Sequence, residues 1–128
     1  MSNTISEHCI YTIKYREELE GKIGKPATFS ERKSWVTGER LWQQAKAAKK
    51  AMPVLLGDAT NCSRLLCWGI LTNVRVNSNG TSFSVERLRD LRGKHSTEEL
   101  ILRSTGKKIQ SNFSRPYLIC RTPEFLTS

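Results

Sequence analysis

Residues 52–76 are the most apolar part of this chain and read MPVLLGDATNCSRLLCWGILTNVRV. Two apolar runs flank a polar link. Residues 53–56 are followed by Gly-Asp, and residues 65–76 are followed by Asn-Ser-Asn-Gly. The link, residues 58–64, has the composition of a turn. Runs of this length between turn residues are typical of strands, because helices need longer periodic segments. We therefore predict two central strands that form the heart of a small β-barrel.

The segment before this stretch contains the best helical pattern in the chain. Residues 39–52 are rich in Ala, Leu, Gln and Lys, all good helix formers. One apolar stripe runs along this helix and includes Leu41, Ala45, Ala48 and Met52. We predict that the helix ends at Pro53, which cannot continue it.

Two further patterns lie closer to the N-terminus. Residues 8–15 alternate in polarity, which predicts a strand. Thr28 and Glu31 have the spacing of a capping box, in which the two side chains satisfy each other's free backbone donors. This pattern predicts a short helix over residues 30–36 that ends at Gly38.

The second half of the chain contains several shorter signals. Asn79-Gly80 predicts a reverse turn, followed by a strand over residues 82–85. Residues 86–91 predict a helical turn that stops at Gly93. Residues 96–99 form a second possible capping box, which is typical of a helix start. Residues 100–103 match a short strand equally well, and we favour the strand. Residues 115–122 predict a last strand, after which residues 125 and 126 pack back on the core.

These elements predict an α+β fold over a single domain, residues 1–128, with a loose start at residues 1–7. About six strands alternate with one main helix and one or two short helices. The short spacing between strands favours mixed or antiparallel pairing over repeated βαβ units. We predict a small mixed or antiparallel β-barrel with the helices packed around it.

Charge is the clearest global property of the chain. It contains 128 residues, with 21 Lys and Arg against 12 Asp and Glu, for a formal net charge of +9. A solvated basic surface explains such a charge, and so does an anionic partner such as RNA, DNA or a nucleotide. No residue run forms a basic tail, so folding must assemble any patch.

The cysteines indicate no metal centre. None forms a Cys-x-x-Cys pair, and the two histidines lie far from any zinc-finger spacing. Cys9, Cys67 and Cys120 each lie in an apolar, strand-like context, which predicts buried free thiols. We expect no cofactor. The polar N-terminus has no export signal and no run is long enough to cross a membrane, which predicts a cytoplasmic protein without a membrane partner.

The order of elements resembles the PUA-like superfamily, and in particular its ASCH and EVE branches. The resemblance lies in a Trp-bearing segment, a strand ending in Gly-Asp, a strand carrying Trp-Gly-Ile, and the last strand (residues 28–35, 53–58, 66–71 and 115–122). It implies a small β-barrel with helices around a ligand cleft. Members of that superfamily mostly bind RNA or modified nucleobases, and a few relatives are hydrolases. The resemblance therefore implies a module that binds a nucleic acid or a nucleotide.

The candidate ligand site centres on Trp35. Cations and hydroxyls surround it in sequence, and we select Ser30, Arg32, Lys33 and Arg40 as its companions. An indole among such residues is suited to stack on a base while the cations bind phosphate. The same residues also fit a core tryptophan beside a solvated helix face. The sequence leaves both interpretations open.

Three residues of the later strands complete the candidate site. Trp68 lies on a strand with two apolar faces, where a core position competes with a binding role. Gly69 beside it allows a ligand or another backbone to come close. Arg115 and Tyr117 lie on the last strand, and Arg115 can bind a phosphate or a base, or pair with Asp58.

No spacing in the sequence assembles a catalytic set. The sequence leaves open whether the chain is an enzyme and favours a binding module without catalytic residues. A small hydrolase acting on a nucleotide-like or amide substrate is one alternative, for which Lys33, Asp58 and His95 are the first residues to test. A protein-interaction or assembly module without a small ligand, able to form a homo-oligomer, is the other.

Overall fold

The computed structural model describes residues 4–109 and 117–126, without the side chains of residues 62 and 63. The fold is α+β. Its helices are α1 (Arg16–Leu19) and α2 (Val36–Ala47), with 3₁₀ turns at Thr97–Glu99 and Glu124–Leu126. Its strands are β1 (Thr4–Ile5), β2 (His8–Lys14), β3 (Ala27–Glu31), β4 (Lys50–Ala51), β5 (Pro53–Asp58), β6 (Asn61–Asn77), β7 (Gly80–Val85), β8 (Arg89–Asp90) and β9 (Tyr117–Arg121).

The two predicted central strands are confirmed as β5 and β6, which pair antiparallel. Every residue of β5 is buried, as its continuous apolar sequence requires. The Asp58 carboxylate stabilises the turn between the strands, because it accepts hydrogen bonds from the Thr60 backbone N–H at 2.9 Å and from the Thr60 hydroxyl at 2.7 Å. Strand β6 begins at Asn61, earlier than the predicted residue 65, because the pairing with β5 continues through a bulge.

The reverse turn predicted at Asn79-Gly80 is present as the hairpin between β6 and β7 but is shifted by one residue, because Ser78 and Asn79 form the turn and Asn77 lies opposite Gly80. Gly80 has φ +136°, and a Cβ at this position would overlap the Glu31 carbonyl of β3. Glycine is therefore required here both for the turn and for the approach of β3.

A seven-stranded mixed sheet forms most of the fold, in the order β3-β7-β6-β5-β2-β9, with β8 also paired to β6. Strands β2 and β5 are parallel, and the other pairs of this sheet are antiparallel. A parallel pair needs a long crossover connection, and the chain between β2 and β5 contains α1, β3 and α2. Strands β1 and β4 form a separate parallel pair, so residues 4 and 5 of the predicted loose start lie in a strand.

The short helix predicted over residues 30–36 is wrong. Residues 27–31 form β3, in which Ala27 and Phe29 are buried while Thr28 and Ser30 are exposed. Phe29 packs on Phe83 of β7, with ring centroids 5.4 Å apart. Cross-strand packing therefore prevails over the capping-box pattern.

The main helix exists, but its predicted bounds are wrong. Helix α2 starts at Val36 and includes Gly38, which we expected to end a helix. A Cβ on Gly38 would lie only 3.0 Å from Ile10 Cδ1, so glycine lets α2 approach the sheet. The helix ends at Ala47, well before Pro53, and Lys49 follows it with a left-handed φ of 59°.

The helical turn predicted over residues 86–91 is also wrong. Leu88 is buried and bridges Ile23, and β8 then pairs with Cys67 and Trp68. Gly69 makes room for this segment, because a Cβ there would lie 2.8 Å from the Arg87 carbonyl oxygen. The strand favoured for residues 100–103 is reduced to isolated bridges, and the capping box before it forms a 3₁₀ turn.

The buried apolar residues form two clusters. One contains Ile10, Trp35, Val54 and Phe83, and the other contains Cys9, Leu55, Leu65 and Leu118. The buried free thiols predicted at Cys9, Cys67 and Cys120 are confirmed. The predicted last strand is confirmed over Tyr117–Arg121, and the buried Leu126 follows it as expected. Within the described ranges, no helix is long and apolar enough to cross a membrane.

Candidate functional site

Strand β3, at one end of the sheet order, approaches β2, the fifth strand of that order, and we call the gap between these two strands the seam. The Thr12 hydroxyl on β2 donates a hydrogen bond of 2.7 Å to Glu31 Oε1 on β3. Lys14 Nζ lies 3.3 Å from the same oxygen and donates to the Ser30 carbonyl at 3.1 Å. Side chains thus join the two strands, and no backbone ladder joins them within the described residues.

Trp35 lies beside the seam but is completely buried, with 0% exposure. Its ring stacks on Phe83 at 4.7 Å and on Tyr117 at 5.1 Å. Because Trp35 has no exposed surface and stacks on two aromatic rings, no base can stack on it in this arrangement, and packing is the interpretation that the structure supports. Among the described residues, its Nε1–H has no hydrogen-bond acceptor.

The other predicted residues near Trp35 divide into two groups. Ser30, Arg32, Lys33 and Arg40 are exposed, along the seam and the start of α2. Tyr117 is half-buried in the aromatic stack; burial raises the pKa of its hydroxyl, although a hydrogen bond with the Gly38 backbone acts in the opposite direction. Arg115 lies outside the described residues.

Trp68 lies in a different place from the Trp35 group. It is half-buried and packs against the second apolar cluster. The Arg89 guanidinium lies over its ring, 5.5 Å from the centroid. The neighbouring Gly69 makes room for the Arg87 backbone, so the group that comes close to this glycine is another segment of the chain and not a ligand.

A cleft that the sequence did not indicate opens where α1 approaches β6 and β8. It has a volume of about 400 Å³. We call it the arginine cleft, and its walls are Arg16, Leu19, Glu20, Ile23, Arg64, Leu66, Cys67, Asp90, Arg92 and Gly93. This volume lies within the range of small-molecule sites, about 300–1,000 Å³. Its three arginines outnumber its two carboxylates, Glu20 and Asp90, and guanidinium groups beside apolar side chains are suited to bind a phosphate next to a flat base.

Carboxylates anchor two of these arginines: the buried Asp58 holds the Arg16 side chain, and the exposed Asp90 holds the Arg92 backbone. Arg16 Nε donates to Asp58 Oδ2 at 3.2 Å. Burial of Asp58 would raise the pKa of its carboxyl, but the Thr60 hydrogen bonds and Arg16 outweigh it and lower the pKa. The Arg92 N–H donates to Asp90 Oδ1 at 2.7 Å. Arg92 also has a φ of 55°, a left-handed conformation that costs a residue with a side chain about 1 kcal/mol.

The apolar part of the arginine cleft comes from Leu19, Leu66 and Ile23. Ile23 is 42% exposed, which is unusual for a large aliphatic side chain. Cys67 lines the cleft as well, but burial and, less strongly, Asp90 raise the pKa of its thiol to about 12. A thiol with this pKa stays protonated near neutral pH, so Cys67 is no candidate nucleophile.

The residues selected for hydrolysis lie in separate environments. Asp58 is bound by Thr60 and Arg16, whereas Lys33 is exposed. His95 Nδ1 lies 3.1 Å from Glu99 Oε1, and its ring stacks on Phe125 with centroids 3.7 Å apart. In the part of the chain that the structure describes, no group of three or more His, Cys, Asp or Glu residues is arranged to hold a metal ion.

Sequence reasoning missed the arginine cleft because its residues come from three distant segments. Arg16 lies on α1, which the sequence did not predict, Arg64 lies in the segment predicted as a polar link, and Arg92 directly follows the segment predicted as a helical turn. The only local signal was Gly93, which marks a turn directly after Arg92.

Comparison with known proteins assigns this chain to no family. The chain matches no protein-family model, no curated protein and no solved structure. The fold and the charges of the site are therefore the basis for any functional conclusion.

Proposed function

We propose that this chain is a binding module of PUA-like type that holds a nucleotide, free or within a nucleic acid, in the arginine cleft. The observation that carries the proposal is the convergence of Arg16, Arg64 and Arg92 on one cleft of about 400 Å³ with an apolar wall. The guanidinium groups bind phosphate, and the Ile23 side of the cleft covers the base.

The shape of the sheet supports the PUA-like assignment. Thr12, Lys14, Ser30 and Glu31 connect the fifth strand of the sheet order to the first, so the sheet curves back on itself. In the proposed architecture this curved sheet is a small barrel closed by side chains at the seam. The Trp35 stack fills its interior, and the ligand binds outside.

Whole-protein charge agrees with the proposal. The formal net charge of +9 favours the approach of an anion from solution, and this attraction weakens as salt rises. Cys67 is buried and has a raised pKa, and Asp58 and His95 are bound to different partners, Arg16 and Glu99; both observations favour binding over catalysis.

Isothermal titration calorimetry at low salt tests the proposal with nucleoside monophosphates and dinucleotides of RNA and DNA. We expect Arg64→Gln to weaken binding about tenfold or more, since a hydrogen bond to a charged group contributes about 1.5–3 kcal/mol. Arg75→Gln is the matched control, because Arg75 is an exposed arginine on the same strand, β6, away from the cleft.

Arg92→Gly provides a second variant that separates binding from folding. Glycine adopts the left-handed φ of 55° without steric cost, so the fold should remain at least as stable while one guanidinium is lost. No binding of any probe at low salt would overturn the proposal, as would equal losses in Arg64→Gln and Arg75→Gln. If the chain then elutes as a stable oligomer, an assembly module becomes the better assignment.

A further inference from the structure

A second basic cleft lies where the end of α2 meets β6. It has a volume of about 430 Å³. We call it the lysine cleft, and its walls are Trp42, Lys46, Lys49, Lys50, Ala51, Ile70, Leu71, Thr72 and Glu86. Lys46 Nζ lies 5.2 Å from the Trp42 ring centroid, so a cation already covers the indole. Three ammonium groups against one carboxylate make this cleft a site for an anion.

Backbone strain points to the lysine cleft independently of its charge. Within the described ranges, the non-glycine residues with positive φ are Lys49 at 59° and Arg92 at 55°. Glycine or asparagine is the usual choice after a helix end in this conformation. Both positions instead carry a cation, and each cation lines a basic cleft. One lysine near the end of α2 would suffice to complement the helix dipole, whereas Lys49 and Lys50 lie beyond the last helical residue.

The two clefts lie along the same strand. The arginine cleft uses β6 at residues 64–67, and the lysine cleft uses it at residues 70–72. A strand rises about 3.3 Å per residue, so roughly 15 Å separates the two sites along β6. Residues 86–89 run alongside the part of β6 between the clefts, since Arg89 pairs with Trp68 and the Glu86 N–H donates to the Ile70 carbonyl. Arg87 and Arg89 of this segment are exposed, whereas Leu88 between them is buried.

We propose that the ligand is a single-stranded polynucleotide, an inference that rests on the nucleotide site assigned above. The strand places one nucleotide in the arginine cleft, and the strand's following phosphates run along Arg89 and Arg87 into the lysine cleft. A cleft with an apolar wall takes an unstacked base, which a single strand offers and a duplex does not. A stacked strand rises about 3.4 Å per nucleotide, so about five nucleotides cover the roughly 15 Å between the sites. A dinucleotide reaches only one cleft.

Fluorescence anisotropy tests this inference with labelled single-stranded 12-nucleotide RNA and DNA, the corresponding duplexes and dinucleotides, over a range of KCl concentrations. The variant is Lys49→Gly with Lys50→Gln, which removes two charges and relieves the strain at position 49. The matched control is Lys107→Gln with Lys108→Gln, which removes two exposed charges elsewhere. A melting temperature equal to or above that of the wild type shows that the Lys49/Lys50 variant folds.

We expect the Lys49/Lys50 variant to bind the 12-nucleotide strands about tenfold more weakly and the dinucleotide unchanged. Its slope of log K against log salt should be shallower by about 1.4, since each phosphate contact with a single strand contributes about 0.7. The RNA and DNA arms identify which strand binds more tightly.

Three outcomes would overturn the inference and leave the arginine cleft as a nucleotide site. These are a 12-nucleotide strand that binds no more tightly than a dinucleotide, an equal loss in the Lys107/Lys108 control, and a duplex that binds as well as the single strand. If neither dinucleotide nor long strand binds the wild type, the proposed function itself fails.

Discussion

Replacing Lys14 or Glu31 tests whether a buried ion pair holds the seam together. Lys14 Nζ lies 3.3 Å from Glu31 Oε1, and the two side chains are 4% and 14% exposed. Removing one partner of a buried pair typically costs about 3–5 kcal/mol, because the other charge stays buried without compensation. We expect about 3 kcal/mol for Glu31→Gln, at the lower end of this range, because the buried Lys14 ammonium then keeps only the half-exposed Glu18 carboxylate at 3.9 Å and the Ser30 carbonyl at 3.1 Å.

The opposite substitution should cost less. In Lys14→Met, Glu31 keeps the Thr12 hydrogen bond of 2.7 Å and some access to water. We expect the free energy of unfolding to fall by about 2 kcal/mol in this variant. The double variant should cost less than the sum of the two, with a coupling energy of at least about 1 kcal/mol, since the residues are in contact.

Urea unfolding at pH 7, followed by circular dichroism, measures all three variants. Lys25→Met is the control, because Lys25 is exposed in the loop before β3 and its loss should change stability by less than about 0.5 kcal/mol. Additive effects in the double variant would refute the reasoning. Single variants as stable as Lys25→Met would also refute it, and would mean that the packing around Phe29 and Phe83 holds the seam.

Two further predictions concern the support of the arginine cleft. In Gly69→Ala, the new Cβ would lie 2.8 Å from the Arg87 carbonyl oxygen, so we expect a loss of about 1–3 kcal/mol in urea unfolding and weaker nucleotide binding; unchanged stability would contradict the close approach of this segment. Asp58 has a lowered pKa in the folded state, so its contribution to stability is complete above its usual value of 3.8 and is lost as pH falls through the folded pKa. Asp58→Asn should therefore be less stable at pH 7, by about 1–2 kcal/mol, and should lack this part of the acid dependence when unfolding is measured from pH 7 down to pH 2. Identical pH profiles of the two proteins would show that Asp58 does not supply it.

Much of the sheet could be predicted because its signals are local. Strand β5 is a continuous apolar run with a Gly-Asp end, and the Asn-Gly turn between β6 and β7 needs only its own residues and a positive φ at Gly80. Burial of Cys9, Cys67 and Cys120 also followed from their immediate neighbours. Such features depend on side-chain periodicity and turn chemistry, which adjacent residues determine.

The predictions were wrong where residues that match a local pattern make their contacts with residues distant in sequence. Thr28 and Glu31 match a capping box, yet Glu31 binds Thr12 and Lys14 of β2, and Phe29 packs on β7. Trp35 is surrounded by cations in sequence, yet in space it lies between Phe83 and Tyr117. In both places, contacts across the sheet outweigh the preference of the local segment.

By itself, the amino-acid sequence determined the α+β class, the central strand pair, the hairpin turn and the basic charge of this protein. Only the tertiary structure decided where that charge converges, because Arg16, Arg64 and Arg92 meet through the pairing of β8 with β6 and the folding of α1 beside them. The lysine cleft likewise forms only where the end of α2 meets β6. Periodicity is a property of neighbouring residues, whereas a site assembled from three distant segments depends on how the sheet brings them together.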